Sequence, residues 1–150
     1  MTEGKRLKLA IVEDEVILAM ALTLMLEDWG HQVVGTADTE AGALALVEAE
    51  RPHAVVMDIR LGRKDSGLRA ARLIRAGSNV AIVFCTAYAD SPTIQAEIPA
   101  IDNAHLVGKP VDEDQLEGLL RRIDQPCRKV SSSAFGSPVT KVLQPVSNDL

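Results

Sequence analysis

Short apolar runs alternating with stretches of helical spacing constrain this chain more than any other feature of its sequence. Residues 7–12, 54–57 and 80–85 are aliphatic-rich runs of strand length, and between them apolar residues recur at helical intervals. That alternation predicts βαβ units and a parallel sheet, hence an α/β fold. The first strand spans 7–12, and a helix follows over 16–29, stopped by Gly30. A second strand covers 32–36, and Thr39 caps a second helix running to residue 50. Pro52 precedes a third strand, 54–57, which delivers Asp58 at its carboxyl end. A polar loop, 60–65, leads to a helix capped by Ser66 and ending near 76. The fourth strand, 80–85, ends at Thr86, the fifth, 106–108, ends at Lys109, and Asp112 opens a last helix to about residue 123. Pro92 and Pro99 bracket the remaining region, whose apolar spacing is poor, so its helix is expected to be short or irregular.

The 150 residues suit one ordinary domain, expected over 1–125. Beyond Pro126 the residues turn to Ser, Pro, Lys and Val without period, and 126–150 read as a flexible tail. A hydrophobic share of 47% with 25% charged residues is that of a globular protein. The net charge of -5 argues against nonspecific nucleic-acid binding, which needs a basic face. The longest apolar run, 16–26, is broken by Thr23 and falls short of the roughly 20 residues that a bilayer requires. Glu13, Asp14 and Glu15 stand before it where a signal peptide would carry positive charge, so the chain is read as cytoplasmic, without a membrane role. Cys85 falls in a buried strand and Cys127 in the tail, so no structural disulfide is expected. His31, His53 and His105 precede strands two, three and five, at the sheet edge opposite the acidic residues, and no shared metal ligation is expected.

Ligand chemistry in a doubly wound sheet gathers outside the carboxyl ends of the strands. Glu13 and Asp14 end strand one, Asp58 strand three, Thr86 strand four and Lys109 strand five, so three carboxylates, a hydroxyl and an ammonium converge on one edge. The segments LAIVEDE, AVVMDIRL, VFCTAY and LVGKP, in that order, resemble the four signature segments of response-regulator receivers, over about residues 7–123. The resemblance implies a flavodoxin-like five-stranded parallel sheet of order 2-1-3-4-5 and makes Asp58 the acceptor of a phosphoryl group. Mg²⁺ would be held by Asp14 and Asp58, by Glu13 through water, and by the backbone carbonyl of Arg60. Lys109 would supply the opposing charge, the Thr86 hydroxyl and the Ala87 N–H would meet the phosphoryl oxygens, and the peptide before Pro110 would be cis. The donor would be a histidine kinase or a histidine phosphotransfer protein, and the output would be binding of a downstream protein, or a phosphate sink in a stand-alone receiver.

Three features depart from the usual receiver. Leu106 stands where an inward-turning aromatic ring is common, and Tyr88, two residues past Thr86, is expected to take over part of that switch, as in a minority branch with a Phe-x-Thr-x-Tyr signature. Gly67 lies one residue further on than usual, the loop after Asp58 lacks its proline and is expected to be mobile, and Arg60 and Tyr88 flank the site mouth. On the first helix Leu18, Leu22, Met25 and Trp29 fit a core stripe, while Ile17, Met20 and Leu24 form a second stripe that needs a cover. A helical partner is favoured there, with a homodimer next. Two competing functions are a phosphate-independent receiver-like interaction module and an aspartyl-phosphate phosphatase. The phosphatase would need a second aspartate where this chain has Arg60.

Overall fold

The computed structural model describes residues 6–62 and 64–123. The expected tail and Cys127 lie outside the described residues. Five strands, β1 (Lys8–Val12), β2 (Gln32–Ala37), β3 (Ala54–Asp58), β4 (Ala81–Thr86) and β5 (Ala104–Gly108), form one parallel sheet of order β2-β1-β3-β4-β5. The helices are α1 (Val16–Asp28), α2 (Glu40–Glu50), α3 (Gly67–Gly77), α4 (Pro92–Glu97) and α5 (Glu113–Arg122), and one 3₁₀ turn, Ile98–Ala100, extends α4. The predicted α/β class, strand order and short fourth helix therefore hold. α4 buries none of its six residues, and Ile98 and Ile101 tie the region to the core.

Each central strand is apolar on both sides because helices cover both faces. Leu9 and Ile11 of β1, Val56 of β3 and Val83 of β4 pack with Ala19, Leu22 and Leu26 of α1 and with Leu116 and Leu120 of α5. Ala10, Val55, Met57, Ile82 and Phe84 point the other way, against α2 and α3. The larger of these side chains, Val, Leu, Ile, Met and Phe, stabilise the fold by roughly 1.5–3 kcal/mol each when fully buried. Local chemistry fixes the helix starts: the side-chain oxygens of Thr39, Ser66, Ser91 and Asp112 accept from the amides of Gly42, Arg69, Ile94 and Gln115. Gly30, with φ 97°, ends α1 in a conformation that other residues rarely adopt.

The structure corrects three expectations. Leu18 is 37% exposed and lies outside the core stripe. Leu22 and Leu26 set the rotation of α1, and the residue three before Leu22 is Ala19, whose small side chain faces the sheet and leaves Leu18 on the flank. β5 begins at Ala104, two residues earlier than its apolar run, because Ala104 and His105 pair with Ile82 and Val83 through backbone groups, whatever their side chains. The segment read as a polar loop instead forms a small antiparallel hairpin, in which Arg60 pairs with Ser66 and Leu61 with Asp65. Buried Leu61 anchors it, and Gly62 turns with φ 72°.

At the amino edge of the sheet, two histidines hold the start of β1. His31 Nδ1 accepts from the Leu7 amide at 3.1 Å, and His53 Nδ1 accepts from the Lys8 amide at 2.8 Å. Burial holds the imidazoles of His31, His53 and His105 below their ordinary value of 6.5. Glu117 opposes that shift at His31, whereas Lys8 adds to it at His53 and Arg122 at His105. An imidazole with a lowered folded pKa protonates more readily in the unfolded chain, so its stabilisation is whole above about pH 6.5 and is lost as pH falls. Glu13, whose carboxyl is raised, has the opposite sign: its stabilisation is lost as pH rises. The melting temperature should therefore drop between about pH 7.5 and about pH 5.5, and His31→Asn with His53→Asn, which keep an acceptor near each Nδ1, should flatten that drop. Thermal denaturation followed by circular dichroism checks this, and an unchanged slope in the double variant would refute it.

Candidate functional site

The register of the parallel sheet brings the strand ends together. Asp58 is paired with Cys85, and Thr86 with Gly108, so Asp58, Thr86 and Lys109 leave β3, β4 and β5 side by side. Glu13 and Asp14 follow β1 directly, and the Glu13 amide donates to the Ala37 carbonyl at 2.9 Å, which fixes their backbone against β2. Oxygens of Glu13, Asp14 and Asp58 all lie within 4.8 Å of one another. Among the described residues this is the only group of three or more His, Cys, Asp or Glu close enough to share a metal ion.

Lys109 holds the cluster together. Its Nζ lies 3.1 Å from Glu13 Oε1 and 3.4 Å from Asp58 Oδ2. The Lys109–Pro110 peptide is cis, as the sequence implied, and the Lys109 amide donates to the Thr86 carbonyl at 2.8 Å. Burial pulls the ammonium down, but the Glu13 hydrogen bond and the charges of Asp58 and Glu13 outweigh it and raise its pKa. Burial raises the carboxyl of Glu13, only 4% exposed, and Asp58 adds to that rise, against the hydrogen bonds from Lys109 and the Glu15 amide. Burial likewise pushes the Cys85 thiol up to about 12, so it is a core side chain without nucleophilic character at neutral pH.

The residues around the cluster divide into a hinge and a roof. Thr86 is buried, and its Oγ1 accepts from the Tyr88 amide at 3.0 Å. Tyr88 is 49% exposed, and the Arg60 guanidinium sits 4.7 Å from its ring centroid, a cation–π contact across the mouth. The Arg60 amide donates to Asp58 Oδ1 at 3.3 Å. Ala87 is exposed at the start of the same turn, and Leu106 is half-buried against the α2 and α3 core. Gly67 fits because a Cβ there would collide with the Asp58 carbonyl, and its amide donates to the Ile59 carbonyl at 2.6 Å. Ile17, Met20 and Leu24 are 79%, 59% and 68% exposed, so the second stripe of α1 is open. A groove of about 460 Å³ lined by Met20 and Leu24 runs beside it to Glu13 and Asp14.

The sequence reading missed Glu40, Asp65 and Arg69, which tie the hairpin to α2 and α3. The one local signal was Ser66 with arginine three residues later, where glutamate or glutamine would complete a capping box.

The oxygens present fit a small hard cation. An octahedron of ligands at roughly 2.1 Å from Mg²⁺ spaces cis ligands about 3.0 Å and trans ligands about 4.2 Å apart, so these carboxylates would close by up to about 1.8 Å to bind directly, and by less where one of them binds through water.

Comparison with known proteins agrees with this geometry. Residues 9–121 match the family described as response regulator receiver domain. The chain is 35% identical over 104 residues to the phyllosphere-induced regulator PhyR of Methylorubrum extorquens, covering 69% of this chain and 38% of that protein. It is 33% identical over 100 residues to the transcriptional regulatory protein PdtaR of Mycobacterium tuberculosis, covering 67% and 48%. The chain thus spans less than half the length of these two relatives. Among solved structures, the response regulator PhyR of Brucella abortus superposes with a TM-score of 0.71 at 33% identity, over 81% of this chain and 49% of that one. The receiver domain of Erythrobacter litoralis PhyR gives 0.67 at 29% identity, over 81% and 95%. The chain belongs to the response regulator receiver domain family.

Proposed function

We propose that Asp58 accepts a phosphoryl group from a phosphohistidine of a histidine kinase or phosphotransfer protein, and that the change at Thr86 and Tyr88 alters binding of a downstream protein. The observation that carries this reading is the meeting of Glu13, Asp14, Asp58 and Lys109 at the carboxyl ends of three parallel strands. An Asp58 oxygen attacks phosphorus as the bond to the donor imidazole breaks, leaving an acyl phosphate on Asp58 and a histidine on the donor. Glu13, Asp14, Asp58 and the Arg60 carbonyl would hold Mg²⁺, which when bound offsets the charge on the transferring phosphoryl oxygens. Lys109 is placed to leave its Asp58 oxygen for a phosphoryl oxygen while keeping Glu13 as its anchor.

The readout follows from one hydrogen bond. The Thr86 hydroxyl oxygen now accepts from the Tyr88 amide, so a turn of that side chain toward a phosphoryl oxygen would release Tyr88 and its contact with Arg60. Arg60 and Tyr88 flank the mouth whether or not they touch, so their bulk would impede attacking water once Asp58 carries the phosphoryl group. The groove between the open stripe of α1 and the acidic cluster supplies a path for the donor's histidine, and supports Ile17, Met20 and Leu24 as its docking face. The intact acidic set disfavours a phosphate-independent module, and Arg60 occupies the place a phosphatase would give to its second aspartate.

Intact mass after treatment with acetyl phosphate and Mg²⁺ should show one added phosphoryl group in wild type and none in Asp58→Asn, and an unmodified wild type would refute the reading. Replacing both Arg60 and Tyr88 with alanine should shorten the phosphoryl lifetime severalfold, measured as loss of the mass adduct with time. Ile17→Asp and Leu24→Asp, both on exposed positions, should abolish transfer from a cognate kinase yet leave labelling by acetyl phosphate intact. Transfer at the wild-type rate, with a loss of concentration-dependent dimer in sedimentation, would reassign that face to self-association.

A further inference from the structure

The amino ends of α2 and α3 cap each other through side chains that come from outside their own helices. Glu40 is the first residue of α2, and its amide, one of the donors a helix leaves unpaired, donates to Asp65 Oδ2 at 2.9 Å. Glu40 Oε2 accepts from the Ser66 amide at 2.7 Å, and Ser66 is the N-cap of α3. In a capping box a glutamate three residues past the cap would take that amide, but α3 has Arg69 there. Arg69 instead pairs with Glu40, donating from Nε to Oε1 at 2.9 Å, so the missing carboxylate is brought from α2. The same guanidinium donates to the Lys64 carbonyl at 2.6 Å, closing the far end of the hairpin. The Arg69 hydrogen bond outweighs the opposing effect of burial and, with a further contribution from the Ser66 amide, holds the Glu40 carboxyl below its ordinary range.

This brace reaches the acidic cluster in two steps. Ser66 is the hairpin partner of Arg60, and the Arg60 amide donates to Asp58 Oδ1. We infer that Glu40 is a positioning residue for cation binding: by fixing Ser66 it fixes Arg60 across the hairpin, and with it the Asp58 carboxylate and the Arg60 backbone that the cation would meet. The inference rests on the reading of Glu13, Asp14 and Asp58 as a Mg²⁺ site. Glu40 itself touches neither the cation nor the phosphoryl group.

Isothermal titration of the full chain with MgCl₂ tests it directly. Glu40→Ala, which removes the acceptor of the Ser66 amide, should weaken Mg²⁺ binding by roughly tenfold, the scale on which residues behind metal ligands act. Glu97→Gln, which removes the separate Arg72–Glu97 ion pair on the outer side of α3, should leave the affinity unchanged. Combining Glu40→Ala with Arg69→Glu should restore it, because the new carboxylate stands at the capping-box position and can take the Ser66 amide by itself. A Glu40→Ala affinity within twofold of wild type, or an equal loss in Glu97→Gln, overturns the inference while leaving the Mg²⁺ reading standing. No binding heat in wild type overturns the Mg²⁺ reading and the inference with it. If Glu40→Ala does not fold, Arg69→Gln, at a side chain 57% exposed, loosens the same brace and should weaken binding in the same direction, and an unchanged affinity there overturns the inference.

Discussion

Three carboxylates within 4.8 Å of each other would repel strongly in a half-buried site, and Lys109 is what makes the arrangement tenable. Its ammonium sits between Glu13 and Asp58, the first almost wholly buried and the second partly so. The other features of the edge can be read as ways of keeping it there. The Lys109 amide is tied to the Thr86 carbonyl, β5 is held by its ladder to β4, and the Glu13 backbone is bonded across to β2. A chain with net charge -5 thus concentrates negative charge at one point of the sheet edge and sets the Lys109 ammonium against it.

Much of this was legible in the sequence, for a reason specific to parallel sheets. Every strand of a βαβ chain points the same way, so the residue that ends each apolar run necessarily arrives at one edge. Asp58, Thr86 and Lys109 could be placed together without knowing any side-chain conformation. Helix rotation was less accessible: α1 is apolar on several sides, and periodicity alone could not separate Ala19 from Leu18 as the residue facing β1. The hairpin after Asp58 was not legible at all. Its pairing depends on Glu40, which lies 26 residues before Ser66 in the chain, and its two strands are two residues each, too short for alternation to show. The contact between Arg60 and Tyr88 was foreseeable only as two bulky residues near one opening, since their pairing depends on the turn that the Thr86 oxygen closes.

The two edges of the sheet have different chemistry. At the carboxyl edge, the charged side chains of Glu13, Asp58 and Lys109 face one another. At the amino edge, His31 and His53 act as neutral acceptors for backbone amides, which closes the start of β1 without adding charge. The start of β1 is thus pinned by neutral acceptors at the edge opposite Asp58, with the apolar layers between the two.

The short α4 is the one helix of the five described that buries none of its own residues. The segment is tied down by Ile94, Ile98 and Ile101 against the core and by the Arg72–Glu97 ion pair, while Gln95 bonds back to the Ala89 carbonyl within it. Local opening is easiest where little apolar surface must be exposed. This region, the first to follow the Thr86 turn, would expose little further apolar surface on opening. Were Thr86 to turn as proposed, the displacement would reach α4 before it could strain the sheet, and the surface there would act as the molecule's mechanical fuse.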